Sequence, residues 1–134
     1  MKKFSDLIKN RDINGFVILK PGFIEKEKFF FDILKKDGWE IIQRERKHLD
    51  IDTAKELYKM HKDKDFYNDL CKYMSSDECI CATCYKNCND PIKDMNKIKD
   101  NVRDMWGKSE MRNAMHSSDS LENVKRESKI IFKN

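Results

Sequence analysis

His116 is the side chain with the clearest chemical potential, because it lies in a run of small and hydroxyl-bearing residues, RNAMHSSDS, at positions 112–120. Ser120 or Asp119 is placed to cap a helix that starts just after this run, and Glu127 follows on that helix. A helix N-terminus favours a phosphate group, and a carboxylate that orients an imidazole makes it a competent nucleophile. The spacing alone leaves two interpretations, a phosphate-handling histidine or a surface histidine beside a capped turn.

Four of the five cysteines lie close together, at positions 79, 81, 84 and 88, and resemble a metal cluster by count. A structural zinc site needs thiolates that converge on one point. The run from 78 to 85 is apolar and typical of a strand, so alternation sends Cys79 and Cys81 to one face and Cys84 to the other. We therefore predict free thiols packed in the core, and no metal site made by the protein.

The composition predicts one domain, residues 1–134, with its own core. The 28 basic residues are interleaved with 24 acidic ones, and a net charge of +4 favours phosphate-bearing ligands but argues against a dedicated nucleic-acid-binding protein. The N-terminus lacks the apolar segment of a signal peptide, and no run reaches the roughly 20 apolar residues of a membrane helix. Together with free cysteines, these features predict a cytoplasmic protein with no membrane partner.

The elements that must position these residues follow from hydrophobic periodicity. Three apolar or alternating runs are predicted to be strands, at 15–19, 39–46 and 78–85. Helical spacing predicts helices at 23–36, 54–58, 66–74, 91–98 and 120–127. Asp52 or Thr53 is expected to cap the second of these helices. Irregular structure is predicted for 1–12, 59–65 and 102–111, the last with Gly107 as its hinge, and residues 130–132 are predicted to form a short strand. This order fits an α+β fold with helices packed on an antiparallel or mixed sheet.

Several other side chains have ordinary interpretations when each is taken alone. Lys20 follows the first strand and could be a solvated lysine. The helical spacing of Tyr58 and Phe66 is that of core aromatic residues. His48 and His61 lie in charged segments and are predicted to be solvated.

Taken together in chain order, these residues resemble the nucleoside diphosphate kinase family. The resemblance lies in VILKP at 17–21, in the segment 57–74, in Val102-Arg103, and above all in 112–120 with Glu127. It covers nearly the whole chain. It implies a single-domain α+β fold with a ferredoxin-like antiparallel sheet, and an enzyme that passes the terminal phosphate of a nucleoside triphosphate to a nucleoside diphosphate through a phosphohistidine, in a ping-pong mechanism.

The resemblance implies a catalytic group. His116 matches the histidine that carries the phosphate, and Glu127 matches the carboxylate that orients it. Ser118 matches a hydroxyl in the same network, and Tyr58 matches a tyrosine near the transferred phosphate. Lys20 matches a cation that serves both catalysis and phosphate binding.

The resemblance also implies a nucleotide-binding group. Lys20 and Arg103 match cations on the phosphate side, Asn113 matches a residue that bonds the sugar hydroxyls, and Phe66 matches the aromatic side chain on which the base stacks. Stacking on one aromatic ring tolerates any base, which predicts broad nucleotide acceptance. Magnesium is expected on the phosphates of the nucleotide.

The chain departs from the family pattern in three places. Gly22 stands where the family usually has aspartate, and Ser117 stands where it usually has glycine. Between 85 and 103 the chain is shorter, and the family's second phosphate-binding arginine has no clear counterpart. Asn96 or Lys97 falls nearest to it, so we predict nucleotide binding by Lys97, with Lys97 or Lys99 as replacement for the lost charge.

The shortened segment also bears on assembly, because the corresponding loop of the family helps to join subunits into trimers and hexamers. A homo-oligomer is expected, with a dimer favoured and a hexamer in question. The alternative to an active enzyme is a catalytically impaired module of the same fold that binds a nucleotide or a partner protein.

Overall fold

The computed structural model describes residues 12–133, and its four described strands form one antiparallel sheet. The strands are β1 (Gly15–Leu19), β2 (Glu40–Lys47), β3 (Cys79–Tyr85) and β4 (Met115–Ser117). They lie in the order β2-β3-β1-β4, and each neighbouring pair is antiparallel. The predicted ferredoxin-like α+β fold is thereby confirmed. The predicted lead-in at 1–12 lies, except for its last residue, outside the described residues.

The helices of the described chain are α1 (Glu27–Lys36), α2 (Ile51–Leu57), α3 (Tyr67–Met74), α4 (Pro91–Trp106) and α5 (Leu121–Phe132). Single 3-10 turns precede α1 at Ile24–Lys26 and follow α2 at Lys59–His61. Three of these helices begin at a side chain that accepts a backbone N–H three residues on, namely Asp50, Asp90 and Ser120. The predicted cap of α2 at Asp52 or Thr53 is wrong, because the carboxylate of Asp50 occupies that role at 2.7 Å. Within residues 12–133, none of the helices has the length and apolar character needed to cross a membrane.

Both faces of the sheet are covered, because successive side chains of β1 point to opposite sides. Phe16 and Ile18 pack with α2, α3 and α5, whereas Val17 and Leu19 pack with α1 and α4. All five residues of β1 are buried. A strand covered on both faces needs apolar side chains at every position, which explains the uninterrupted apolar run at 15–19.

The cysteines of β3 follow the predicted alternation. Cys79 and Cys81 lie in the core layer below one face of the sheet, and Cys84 lies in the layer on the other. All three are free thiols and fully buried. Burial raises the pKa of the Cys84 thiol, so it stays neutral and packs as a small apolar group.

The predicted loop at 102–111 is wrong for its first five residues, which continue α4 through Trp106. Val102 is fully buried and extends the apolar stripe of the helix by another turn. Gly107 follows the last helical residue, and its N–H donates to the Arg103 carbonyl at 2.8 Å. A Cβ at Gly107 would lie 2.5 Å from that carbonyl oxygen, so this close approach requires glycine.

The predicted short strand at 130–132 is also wrong, since these residues form the last turn of α5. Ile131 and Phe132 are buried there as members of the helical apolar face. The fourth strand is β4, in a stretch that the sequence analysis treated as a turn. His116 therefore lies on an edge strand of the described sheet, opposite Ile18 of β1.

Candidate active site

A cavity of about 420 Å³ opens beside His116, between β4 and the segment that joins α2 to α3. Six of the nine predicted site residues line it: Lys20, Tyr58, Phe66, Arg103, Asn113 and His116. A second cavity, of about 170 Å³, meets the first at His116 and Arg103 and is also lined by Glu127. The fold thus gathers side chains from both halves of the chain around one imidazole.

The imidazole of His116 is held by a buried carboxylate. Its Nε2 lies 2.6 Å from Oε1 of Glu127, which is 2% exposed, and the Ser118 hydroxyl donates to the same oxygen at 2.9 Å. Arg126 lies 3.6 Å from the other carboxylate oxygen. When the proton of the imidazole lies on Nε2, the Nε2–H donates to this carboxylate oxygen. This tautomer leaves the lone pair on Nδ1, as nucleophilic attack requires.

Two short elements fix the relative positions of this pair. β4 pairs with β1 and sets the backbone of His116 against the centre of the sheet. Ser120 caps α5, and two turns later the helix carries Glu127 on the same buried face as Val124 and Ile131. Because only three residues separate the end of β4 from the start of α5, the Glu127 carboxylate lies beside the His116 imidazole.

The residue that leads into β4 has an unusual backbone. Ala114 has a φ of 81°, in the left-handed region that non-glycine residues rarely adopt. Its carbonyl accepts the backbone N–H of Lys20 at 2.8 Å, which ties β4 to the end of β1. The strained residue lies between Asn113 and the strand, so it sets the direction of both.

Lys20 is buried at the end of β1, which excludes the interpretation as a solvated lysine. It is 4% exposed, and its ammonium donates to Oδ1 of Asn113 at 2.7 Å and to the carbonyl of Met111 at 3.3 Å. The chain turns just beyond it at Gly22, which has a φ of 90°. Gly22, which stands where the family usually has aspartate, thus lies in a turn whose backbone conformation favours glycine.

Three cations, Lys20, Arg103 and Lys99, lie near one another around the two cavities. The pKa of Lys20 falls from its ordinary value of 10.5 to about 7, first because the ammonium is buried and then because Arg103 and Lys99 repel its charge. Arg103, on α4, donates to the carbonyl of Met115 at 3.1 and 3.3 Å through two nitrogens. This carbonyl bond holds the guanidinium beside β4 and leaves further N–H groups for an anion.

Two aromatic side chains border the cavity, and they differ in burial. Tyr58 is 5% exposed, its ring meets that of His116 edge-on at 5.5 Å between centroids, and its hydroxyl has no hydrogen-bond partner among residues 12–133. Burial raises the pKa of this phenol well above its ordinary value, so it is a neutral donor. Phe66 is 45% exposed, which contradicts its interpretation as a core residue and gives the cavity an aromatic wall.

His61 is not simply solvated as predicted, whereas His48 is exposed, in agreement with the prediction. His61 lines both cavities, and its ring lies 5.6 Å from that of Phe66. A signal for this placement was available, because His61 follows Tyr58 by three residues, about one helical turn. The Nε2 of His48 lies 2.8 Å from the carbonyl of Ser75, to which it can donate.

Lys97, which we predicted to bind nucleotide, lines neither of the two cavities. This lysine is exposed and lies roughly 120° around α4 from Arg103, whereas Lys99 lies within about 40° of Arg103. Lys99 lines the second cavity with His116 and Arg103. The different positions of the two lysines follow from the helix over 99–106, which the sequence pattern did not predict.

Comparisons with known proteins point to a single family. A family model described as nucleoside diphosphate kinase matches residues 14–134. A nucleoside diphosphate kinase of Chlorobium limicola is 27% identical over 127 residues, which cover 86% of this chain and 89% of that protein. One of Sulfurisphaera tokodaii is 28% identical over 130 residues, with 88% and 87% covered.

Solved structures give the same result at the level of the fold. The nucleoside diphosphate kinase of Aquifex aeolicus superposes with a TM-score of 0.77 at 26% identity, covering 88% of this chain and 93% of that one. The enzyme of the same name from Encephalitozoon cuniculi superposes with a TM-score of 0.79 at 16% identity, covering 92% and 90%. At such identity the second likeness concerns the fold alone.

Proposed function

The chain belongs to the nucleoside diphosphate kinase family, and from that membership we propose that it transfers the terminal phosphate of a nucleoside triphosphate to a nucleoside diphosphate through phospho-His116. The observation that carries the proposal is the contact of 2.6 Å between Nε2 of His116 and the buried carboxylate of Glu127. A carboxylate in this position has the chemical purpose of orienting an imidazole and stabilising its positive charge.

In the first half-reaction, the lone pair on Nδ1 of His116 attacks the terminal phosphorus. A bond between nitrogen and phosphorus forms, and the bond from phosphorus to the bridging oxygen breaks, so that the nucleoside diphosphate leaves with the electron pair. The ring becomes cationic while it keeps its proton on Nε2, and Glu127 neutralises that charge across the hydrogen bond. In the second half-reaction, a terminal oxygen of an incoming diphosphate displaces Nδ1 and restores the neutral imidazole.

Phosphoryl transfer asks the protein mainly for alignment and charge neutralisation. Lys20 and Arg103 supply positive charge beside His116, and the unpartnered hydroxyl of Tyr58 supplies a donor to a phosphate oxygen. Asn113 uses its carbonyl oxygen for Lys20 and one N–H for the carbonyl of Glu110, at 2.6 Å, which fixes the amide for a contact with the sugar.

The base is assigned to the exposed ring of Phe66, which gives it an aromatic face without a fixed hydrogen-bonding pattern. We therefore expect acceptance of several bases.

The magnesium ion is assigned to the phosphates of the nucleotide. Asp119, which lines the second cavity, offers the type of oxygen ligand that magnesium prefers, so the donor set beside His116 fits an ion carried by the substrate. When bound, the ion supplies neutralisation of phosphate charge.

We also propose a homo-oligomer, with a dimer favoured over a hexamer, that works in the cytoplasm. Membership of the family supports assembly, and the five free cysteines fit a reducing compartment. Light scattering tests the first point, because a mass of six chains would contradict the favoured dimer.

The enzymatic proposal is tested by incubating the protein with γ-labelled ATP and magnesium. We expect acid-labile, base-stable label that is absent in His116→Ala. Absence of label from the native protein under conditions in which ATP binds would reject the enzyme, and would leave a nucleotide-binding module of the same fold.

A further inference from the structure

Lys99 lies on the wall of the second cavity and has no part in the mechanism above. We propose that Lys99 binds the terminal phosphate of a nucleoside triphosphate, and thereby makes the site prefer triphosphates over diphosphates. The inference rests on the nucleotide binding proposed above, and it assigns to Lys99 a contact that the sequence did not distinguish from one by Lys97.

The first argument is the placement of Lys99 on α4. The helix runs without a break from Pro91 to Trp106 and packs against β4, the strand of the nucleophile. Lys99 precedes Arg103 by four residues, so the two cations share one face of the helix. Both line the second cavity together with His116. The helix therefore places two cations, Lys99 and Arg103, beside the imidazole of His116.

The second argument is the charge around Lys99. The side chain is half-buried, and no carboxylate of residues 12–133 lies within ion-pair distance of its ammonium. Burial, and then the charge of Arg103, lower the pKa of Lys99, although Asp100 and Asp119 oppose this change from farther away. A partly desolvated cation that repels its neighbour is unfavourable unless an anion joins it. The site is thus built for a ligand with more negative charge than one phosphate contact requires.

The third argument is the order of residues along the two cavities. Phe66, Asn113 and Lys20 line the first cavity, whereas Lys99 lines only the second. With the base on Phe66, the phosphate chain runs past Lys20 toward His116, where the cavities meet. The terminal phosphate then lies at the junction and within reach of Lys99. A diphosphate is one phosphate shorter, so its bound phosphates stay in the first cavity.

The test compares the affinities of the native protein and of Lys99→Ala for a diphosphate and for a triphosphate analogue with a β,γ-methylene bridge. We expect Lys99→Ala to weaken binding of the analogue about tenfold, which is the size of one charged contact to phosphate. Binding of the diphosphate should weaken less than about twofold. The matched control is Lys97→Ala, because Lys97 is exposed and lies on another face of the same helix. This variant should change neither affinity. Lys99→Met keeps the aliphatic stem and should repeat the result if the alanine variant loses stability.

Three results would overturn the inference: equal losses for diphosphate and analogue, no difference between the variants at positions 99 and 97, or binding of neither nucleotide by the native protein. Phosphoenzyme formation separates this inference from the proposed function. If the native protein acquires no label yet Lys99→Ala selectively weakens the analogue, the kinase proposal fails and the role of Lys99 stands. If the native protein is labelled and Lys99→Ala matches Lys97→Ala in both assays, the role of Lys99 fails alone.

Discussion

Nucleotide binding should be accompanied by proton uptake at Lys20. In the free protein the pKa of this lysine is about 7, because it is buried and faces Arg103 and Lys99. At pH 8 it is therefore mostly neutral, and phosphates placed beside it should return its pKa toward the ordinary value of 10.5. The expected uptake at pH 8 is then about 0.9 proton per nucleotide bound. It is measured by calorimetry in buffers of different ionisation enthalpy.

The same depressed pKa predicts the pH dependence of stability. Between pH 7 and 10.5 the unfolded chain holds a proton on Lys20 that the folded chain has lost, so stability should rise with pH across this window. Below pH 7 the lysine is charged in both states and its full cost is present. The pKa of Lys20 falls from 10.5 to about 7, and each pKa unit corresponds to roughly 1.36 kcal/mol. The destabilisation of the folded state by the charged lysine therefore has an upper limit of about 5 kcal/mol.

Lys20→Met removes the titrating group while it keeps an apolar stem. The variant should be more stable than the native protein at pH 6 by a few kcal/mol, within the limit above, and should lose the proton uptake. Lys97→Met is the control, since it changes the net charge equally on an exposed face. Uptake that persists in Lys20→Met, or an equal stability gain in Lys97→Met, would refute the reasoning.

Two further predictions concern the surroundings of His116. Glu127→Gln keeps an oxygen that can accept from the imidazole and from Ser118, but it replaces a charge-assisted hydrogen bond with a neutral one. We expect phosphoenzyme formation, measured by rapid quench, to be about tenfold slower in this variant. Equal rates in the variant and the native protein would argue that the negative charge is unimportant. Tyr58→Phe keeps the ring contact with the imidazole and removes a buried hydroxyl that has no partner among residues 12–133. Its melting temperature should match or exceed that of the native protein while phosphoenzyme formation slows, and a lower melting temperature with an unchanged rate would assign the hydroxyl a structural role.

The sequence predicted those parts of the fold in which local pattern and burial agree. β1 and β3 are buried on both faces, and their predominantly apolar sequences predict buried strands. β4 has three residues, two of them polar, and exists because it pairs with β1 about a hundred residues away. The end of α4 was missed for a similar reason, since only tertiary packing shows that Val102 is buried.

The candidate site divides in the same way. Residue types in family order were enough to name Lys20, Phe66 and His116 as candidates, and the fold places all three on one cavity. The cavity-lining positions of His61 and Lys99 were missed or left open, because they depend on how a 3-10 turn and a helix face are turned toward β4. The sequence pattern cannot show which way a side chain faces when the helix or turn that carries it has not been predicted.

The left-handed backbone of Ala114 has a consequence for local opening of the sheet. A non-glycine residue in this conformation stores roughly 1–3 kcal/mol, which is released when the segment detaches. Among the strands of residues 12–133, β4 lies at an edge and pairs on one side only, whereas β3 is held on both sides. The strand that carries His116 should therefore open before the centre of the sheet, and its amide hydrogens should exchange with solvent sooner. A phosphate that bridges Lys20 and Arg103 would fasten the start of this segment, because Lys20 donates to Asn113 and Arg103 donates to the carbonyl of Met115. A bound nucleotide would thus stabilise the edge of the fold.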